Sequence, residues 1–419
     1  MNLPSAKARS LQPPVAHPAT GGPWAQIGDI AVPKRSLCLA MVTYLLLSPV
    51  QAAEPEASGR KISFSFERHY TANAFDSIYP FADWYGLLRG SVEQQVAVGA
   101  TRLTFGGMLE AKAFDTYDIE DDRVLALSVA AERKIGDKLE LRGSVGWRIA
   151  DEGDDLVVKD TIIGLRTATE TFVATAQLGA DLGHGWALIL DAGASRDTPR
   201  KTRFEADVVE PILLNPRKDR AELGLRLGHS QGNLTLAGAA GAEWVLAGRQ
   251  TDAPLRFELA RYRAAAEAKY AVERLTLTGS AGLAHLSGLR GALSSTRPVY
   301  ALAAEFAPIA RLTLRASLTA GFDTRNTDDP VASWLERQEV EARLSVREKL
   351  SLGIGLYNSW REYLTLGGGE KAYGLYAETS YQLSKPVTVV LRVEHGRATY
   401  EDGSHTPRFD AGLALRAAM

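Results

Sequence analysis

The sequence has one cysteine in 419 residues, and Cys38 sits at the start of an apolar run near the N-terminus. A chain cut beyond that run has no thiol, which excludes disulfides, cysteine-ligated metals and a cysteine nucleophile. After residue 60 there is no apolar stretch of about 18 residues, so no helix can cross a membrane there. Neither sign of charge dominates: the formal net charge is -2, which gives no reason to expect a nucleic-acid partner. Histidines are few, and His69, His184, His395 and His405 form no metal-ligand spacing. No cofactor is expected.

What the sequence has is alternation. In Arg311 to Phe322 apolar and polar residues take turns, and the pattern returns in Glu339 to Arg347, Lys349 to Tyr357, Pro386 to His395 and Arg408 to Arg416. A period of two belongs to β-strands, whose side chains point to opposite faces in turn. The connectors alternate as well. Tight turns such as Ile135-Gly-Asp-Lys, Leu182-Gly-His-Gly and Ser230-Gln-Gly-Asn take turns with longer polar segments such as Asp115 to Asp122, Asp151 to Asp160, Asp197 to Asp219 and Asp323 to Gln338. From Lys61 onward this rhythm predicts about 18 strands, and short turns at one end with long loops at the other describe a transmembrane antiparallel up-and-down β-barrel. The fold class expected is all-β, with 54–419 as one barrel.

The N-terminus supplies an address. Lys34-Arg35, the apolar Leu37 to Leu47 and Ser48-Pro-Val-Gln-Ala-Ala-Glu have the order of a secretory signal peptide, here residues 32–53 with cleavage after Ala52 or Ala53. Residues 1–31 are Pro- and Ala-rich, lie upstream of a complete signal and read as a non-native extension. Export places the barrel in the outer membrane of a Gram-negative bacterium, among outer-membrane lipids and lipopolysaccharide. The acidic clusters Asp118-Ile-Glu-Asp-Asp and Asp151-Glu-Gly-Asp-Asp lack calcium-loop spacing and read as solvated charge or as sharing divalent ions with lipopolysaccharide.

Charge falls on one face of each strand and defines the expected lumen. In the first half of the barrel this face holds Lys112, Arg142, Arg148, Glu222 and Arg226. In the second half it holds Arg311, Arg315, Glu339, Glu341, Arg343, Glu378, Arg392, Glu394 and Arg416. Facing rows of opposite charge either knit the wall or bind hydroxyls and carboxylates of a solute. In the strand after Leu255 the phase slips between Leu259 and Tyr262, which predicts a bulge.

On the apolar face the aromatics gather at strand ends. Trp147, Trp244, Phe322, Trp360 and Phe409 fall beside long loops, and Tyr270, Phe306 and Tyr381 beside tight turns. Two aromatic girdles around an aliphatic band suit a bilayer. A soluble β-sandwich also has one apolar face; strand length, turn asymmetry and the export signal argue against it.

Units of the form Leu-Thr-Leu-x-Ala/Gly followed by a loop with Asp-Asp or Gly-Gly, as in Leu275 to Leu283, Leu312 to Asp329 and Leu350 to Gly369, resemble the β-barrel porins of Gram-negative bacteria. Some members of that group accompany exopolysaccharide secretion. The resemblance implies a channel for solutes or a secreted polysaccharide, with barrel-assembly machinery and periplasmic export proteins as partners. Such barrels commonly end on an aromatic residue that the assembly machinery reads, whereas this chain ends on Met419.

Two alternatives stand beside the channel. His285-Leu-Ser287, on the lipid-facing phase of its strand, resembles the His-x-Ser of outer-membrane lipid esterases and deacylases, with Ser287 as nucleophile and His285 as base, although no Asn follows the Ser. A closed barrel serving as anchor or adhesin is the other. An enzyme is not the expected reading.

Overall fold

A computed structural model of the chain describes residues 59–75, 80–158, 161–204, 210–248, 257–288, 291–324, 332–365 and 367–419, without the side chains of 154–163. The expected extension and signal, 1–53, lie outside these residues.

The strands are β1 (Arg60–Thr71), β2 (Asp83–Val98), β3 (Thr101–Phe114), β4 (Asp122–Ile135), β5 (Leu139–Val158), β6 (Thr161–Gly183) and β7 (Trp186–Pro199). A two-residue strand, β8 (Arg203–Phe204), precedes β9 (Lys218–Gln231), β10 (Leu234–Ala247), β11 (Glu258–Val272), β12 (Leu275–Gly288) and β13 (Leu293–Ile309). The series closes with β14 (Leu312–Asp323), β15 (Ser333–Arg347), β16 (Leu350–Tyr363), β17 (Gly369–Gln382), β18 (Val387–Tyr400) and β19 (His405–Ala418).

All but β8 pair antiparallel with their chain neighbours, and β1 pairs with β19 from Ser63↔Ala418 to Thr71↔Asp410, so 18 strands form a closed ring. Closure satisfies every edge and is one of the two ways a backbone can cross lipid. Ile62 and Met419 exchange both backbone hydrogen bonds at 2.8 and 2.9 Å, which seals the seam at the chain's end.

All eight tight turns lie at one end of the ring, with Arg60 at the start of β1 and with Met419; at the Leu182-Gly-His-Gly turn, Gly183, His184 and Gly185 all have positive φ. The opposite end carries the loops. There the sequence expectations differ from the structure in four places, the first being that Ser333–Gln338, expected in the loop from Asp323, already belongs to β15 and pairs with β14. Asp151–Val158 is strand, not loop, because β5 and β6 pair on to Val158↔Thr161 and stand as a long hairpin above the shorter strands. Asp197–Pro199 still belongs to β7, and β8 then pairs with Leu165 and Arg166 of that hairpin, so this part of the long loop extends the sheet. No bulge interrupts β11: its register runs unbroken against both neighbours from Leu259 to Tyr270. Leu259 departs from the polar phase for another reason, since it is 1% exposed in an apolar core inside the wall.

That core comes from a split in the wall. β13 stays paired with β12 up to Leu293↔Gly288, but pairs with β14 only as far as Tyr300↔Ala320. Above that point β14 and β15, still paired with each other to Asp323↔Ser333, leave the ring and tuck inward. Phe322 and Trp334, on their outward phase, then meet Val245, Leu259, Leu286 and Leu293, on the inward phase of β10 to β13. Two sheet layers stack there, which is why these residues are buried in a barrel whose inner face is otherwise polar.

Candidate functional site

Residues directly opposite in an antiparallel pair share a face, so the register assigns every side chain to lumen or lipid. One phase carries the charge around the whole ring. Arg142 contacts Glu140 at 2.6 Å and Glu132 at 4.0 Å, and Arg226 contacts Glu267 at 2.7 Å. Arg315 reaches Glu305 at 3.0 Å and Glu341 at 4.0 Å; Arg343 lies 2.9 Å from Glu341 and 3.6 Å from Glu378. Arg392 continues the chain to Glu378 at 4.0 Å and Glu394 at 3.0 Å. Arg416 closes it against Glu67 at 3.7 Å.

The remaining expected positions are placed as follows. Lys112 faces Asp122 at 3.6 Å and stands over the rings of Tyr85 and Phe114; Arg148 bridges to Glu152 at 2.9 Å. Glu222 lies over Gly193, where a Cβ would strike its carboxylate. Glu339 takes Arg337 at 3.0 Å and the Tyr376 hydroxyl at 3.4 Å. Arg311 is a turn residue between β13 and β14 rather than a strand residue.

Arginine and glutamate of this wall border a recess of about 620 Å³ along β3 to β11. Arg102, Glu132, Gln177, Asp191, Glu222 and Arg263 line it with both signs of charge. Such a surface offers donors and acceptors in roughly equal number and suits hydroxyl-rich or zwitterionic solutes.

Three clusters on the lumen side escape period-two reading, because each depends on which strands lie side by side. His69 stacks on Tyr85 at 4.7 Å between centroids, with Nδ1 2.7 Å from Asp410 and Nε2 3.1 Å from Glu67. Tyr357 and Tyr376 lie flat over the glycines opposite them, Gly374 and Gly355, and a Cβ on either glycine would enter the ring. The third cluster joins the tucked strands to the far wall. Glu243, 3% exposed, lies between Arg220 at 3.0 Å and Arg261 at 2.5 Å, and accepts a hydrogen bond from the Thr324 hydroxyl at 2.9 Å. Arg261 also donates to the Phe322 carbonyl at 2.7 Å and Arg220 to the Thr324 carbonyl at 3.1 Å. Thus β14, which neighbours β13, is held against β9 to β11. The outer half of the lumen is narrowed by these bonds and by the apolar core above them.

Beside this constriction Arg297 of β13 makes a two-pronged contact with Glu362 of β16, 2.7 Å on each prong, and covers the Trp334 ring. A forked guanidinium–carboxylate pair is the geometry in which arginine binds most strongly. It ties the tucked end of β16 to the wall as well.

The other phase is aliphatic and open: Val145, Leu223, Leu302, Leu356 and Leu413 are all at least half exposed. Aromatics bound the band at both ends. Trp244 packs edge-on to Tyr262 at 6.2 Å, and Phe409 to Tyr70 at 6.2 Å, beside the loops. Trp147 stands opposite Phe172, and Trp360 is exposed. Tyr270, Phe306 and Tyr381 are exposed beside the turns. Phe322 is not in the girdle: at 5% exposure it packs on Trp334 at 5.1 Å, because its strand has left the wall.

His285 and Ser287 take the lipid-facing phase of β12, where His285 Nδ1 lies 2.8 Å from Thr296 Oγ1. Among the described residues no hydrogen bond joins His285 to Ser287. Among the same residues no helix is long and apolar enough to span a membrane, and no cluster of ligating side chains could hold a metal.

No family model and no curated protein sequence matches this chain. Solved structures do. The copper transporter OprC superimposes with a TM-score of 0.53 at 10% identity, over 88% of this chain and 82% of that one. The ferric citrate transporter FecA, in its unliganded form, gives 0.50 at 10% identity over 83% of this chain, and the FrpB iron transporter from Neisseria meningitidis 0.50 at 10% over 82%. This chain spans 61% of FecA and 63% of FrpB. Identities this low speak for the fold: a large outer-membrane-type barrel.

Proposed function

We propose that the chain is an outer-membrane channel that passes polar solutes through its lumen, and that saccharides are the class it suits best. The observation carrying this reading is the wall itself. A ring of arginines and glutamates faces the interior, borders a recess wide enough for a small solute, and leaves the aliphatic residues to the opposite face. Arginine and glutamate both bond hydroxyls, and held in ion pairs they need no reorganisation to do so. A secreted polysaccharide is the larger form of the same cargo. That the solved structures with this fold include metal transporters fits a transport role and leaves the cargo open.

A second reading rests on the tucked ends of β14 to β16. Held as they are, they favour a barrel closed at rest, whether a gated exporter or a surface anchor. The lipid-hydrolase alternative stays a separate reading: His285 Nδ1 lies 2.8 Å from Thr296 Oγ1, and among the described residues no hydrogen bond joins His285 to Ser287.

Single-channel conductance of the refolded barrel in a planar bilayer tests the proposal, with neutral and acidic oligosaccharides added to one side. Steady conductance with sugar-dependent blockade supports a saccharide channel. No conductance from protein with full β-sheet circular dichroism refutes the open channel and leaves the closed barrel.

A further inference from the structure

The lipid-facing phase of β17, β18 and β19 bears cations but no carboxylate. Lys371 and Arg397 stand on it near the loop end, with His395 and His405 beside them, and all four are exposed. The register sets Lys371 opposite Thr399, Arg397 opposite Tyr373 on one side and Pro407 on the other, and His405 next to Thr399. Among the described residues none of the four has an ion pair. The adjacent acids in sequence, Glu370 and Glu394, take the lumen phase and face Arg408 and Arg392, while Glu401 and Asp402 belong to the turn beyond the strand ends, where Asp402 accepts hydrogen bonds from Ser404.

At the loop end of the outer face the other basic positions each have an acid beside them, Arg123 having Asp151 directly opposite in the register. Arg68 is paired with Asp115 and Arg196 with Asp219. Lys371 lies directly across from Trp360, and Tyr373 and Phe409 flank Arg397 and His395 on the same face, which puts the cations at girdle height. Immediately below come Leu356, Leu375, Val393 and Leu413, all exposed. From loop end to mid-barrel the face therefore reads cation, aromatic, aliphatic. A ligand with the reverse order, anionic headgroup above and acyl chains below, would satisfy all three zones at once.

We propose that this face is a fixed binding site for a phosphorylated glycolipid of the outer leaflet, that is, lipopolysaccharide. Its phosphates sit on Lys371 and Arg397, and its acyl chains lie along Leu356, Leu375 and Leu413. Guanidinium and ammonium both bind phosphate oxygens by charge-assisted hydrogen bonds, strongest where water is scarce, as at the edge of a hydrocarbon layer. The proposal rests on the loop end facing the cell surface and is independent of what the lumen carries.

The test compares the refolded wild-type barrel with a K371Q/R397Q variant, and with R347Q/K349Q, which removes the same charge at the opposite end. Each is titrated in detergent with purified lipopolysaccharide, with chemically dephosphorylated lipopolysaccharide and with phosphatidylglycerol, in the presence of a chelator so that divalent ions cannot bridge. Two cations near an anionic surface contribute enough for a loss of roughly thirtyfold in affinity. K371Q/R397Q is expected to show that loss for the phosphorylated glycolipid alone, and R347Q/K349Q to match wild type. Equal binding by all three proteins overturns the proposal. So does equal binding of the dephosphorylated form, and so does a preference for phosphatidylglycerol, which would make the face a general anionic-lipid surface.

Discussion

Replacing Thr324 by valine should loosen the constriction without disturbing the wall. Thr324 is 6% exposed and its hydroxyl donates to Glu243 at 2.9 Å, one of three hydrogen bonds that tie β14 to this cluster beside those from Arg261 and Arg220 to the Phe322 and Thr324 carbonyls; the contacts of Glu243 with Arg220 and Arg261 lie within the wall and persist when β14 moves. A hydrogen bond to a charged group contributes about 1.5–3 kcal/mol, so T324V should cost the tucked state about 2 kcal/mol. That shifts the balance between tucked and released strands by roughly thirtyfold. Valine keeps the shape of threonine, which limits the effect to the lost donor. Two readouts apply. Hydrogen exchange at the amides of Phe322, Asp323 and Trp334 should quicken by about the same factor, since local opening sets the rate. In a bilayer, time spent at higher conductance should rise. Thr319, exposed lower on the same strand, gives the control T319V, which should change neither. If T324V leaves exchange and conductance as in wild type, the Thr324–Glu243 bond does not hold β14 and the magnitude assigned to it is refuted.

Other consequences can be checked alongside. Trp334→Ala empties a site 3% exposed between two sheet layers, and cavity formation of this kind costs about 3–5 kcal/mol, to be read as a lower denaturant midpoint. Gly355→Val puts side-chain atoms where the Tyr376 ring lies, so the ring must swing into the lumen; single-channel conductance should fall while the folded yield holds. Ser287→Ala should leave conductance unchanged, and the wild-type protein should release no fatty acid from phospholipid or lipopolysaccharide; fatty-acid release abolished by the substitution would restore the esterase reading.

Much of the fold could be read in the sequence, for a physical reason. Strand alternation is local, and a residue's face follows from the parity of its position, so Arg142, Arg315, Arg343 and Arg392 could be put on one side and Leu141, Leu314 and Leu391 on the other without knowing which strands pair. Turn chemistry is local too, and glycines with positive φ at Gly183 and Gly232 mark tight turns where the sequence places them.

Parity says only which face a side chain takes, not what lies against that face. Leu259 looks like a slipped phase and Phe322 like a girdle aromatic. Both judgements assume that every strand remains in a single-layer wall. The wall splits above Tyr300↔Ala320, and one strand's lipid face comes to rest on its neighbours' lumen face. The Glu243 cluster likewise depends on the tucked strand, with Thr324 81 residues away, and the His69 cluster on ring closure, with Asp410 341 residues away across the β1–β19 seam. Period, turns and face were therefore settled by the amino-acid order alone. The closure of the ring, the second layer and the narrowing of the lumen were decided only in three dimensions, because they depend on contacts that no repeat along the chain encodes.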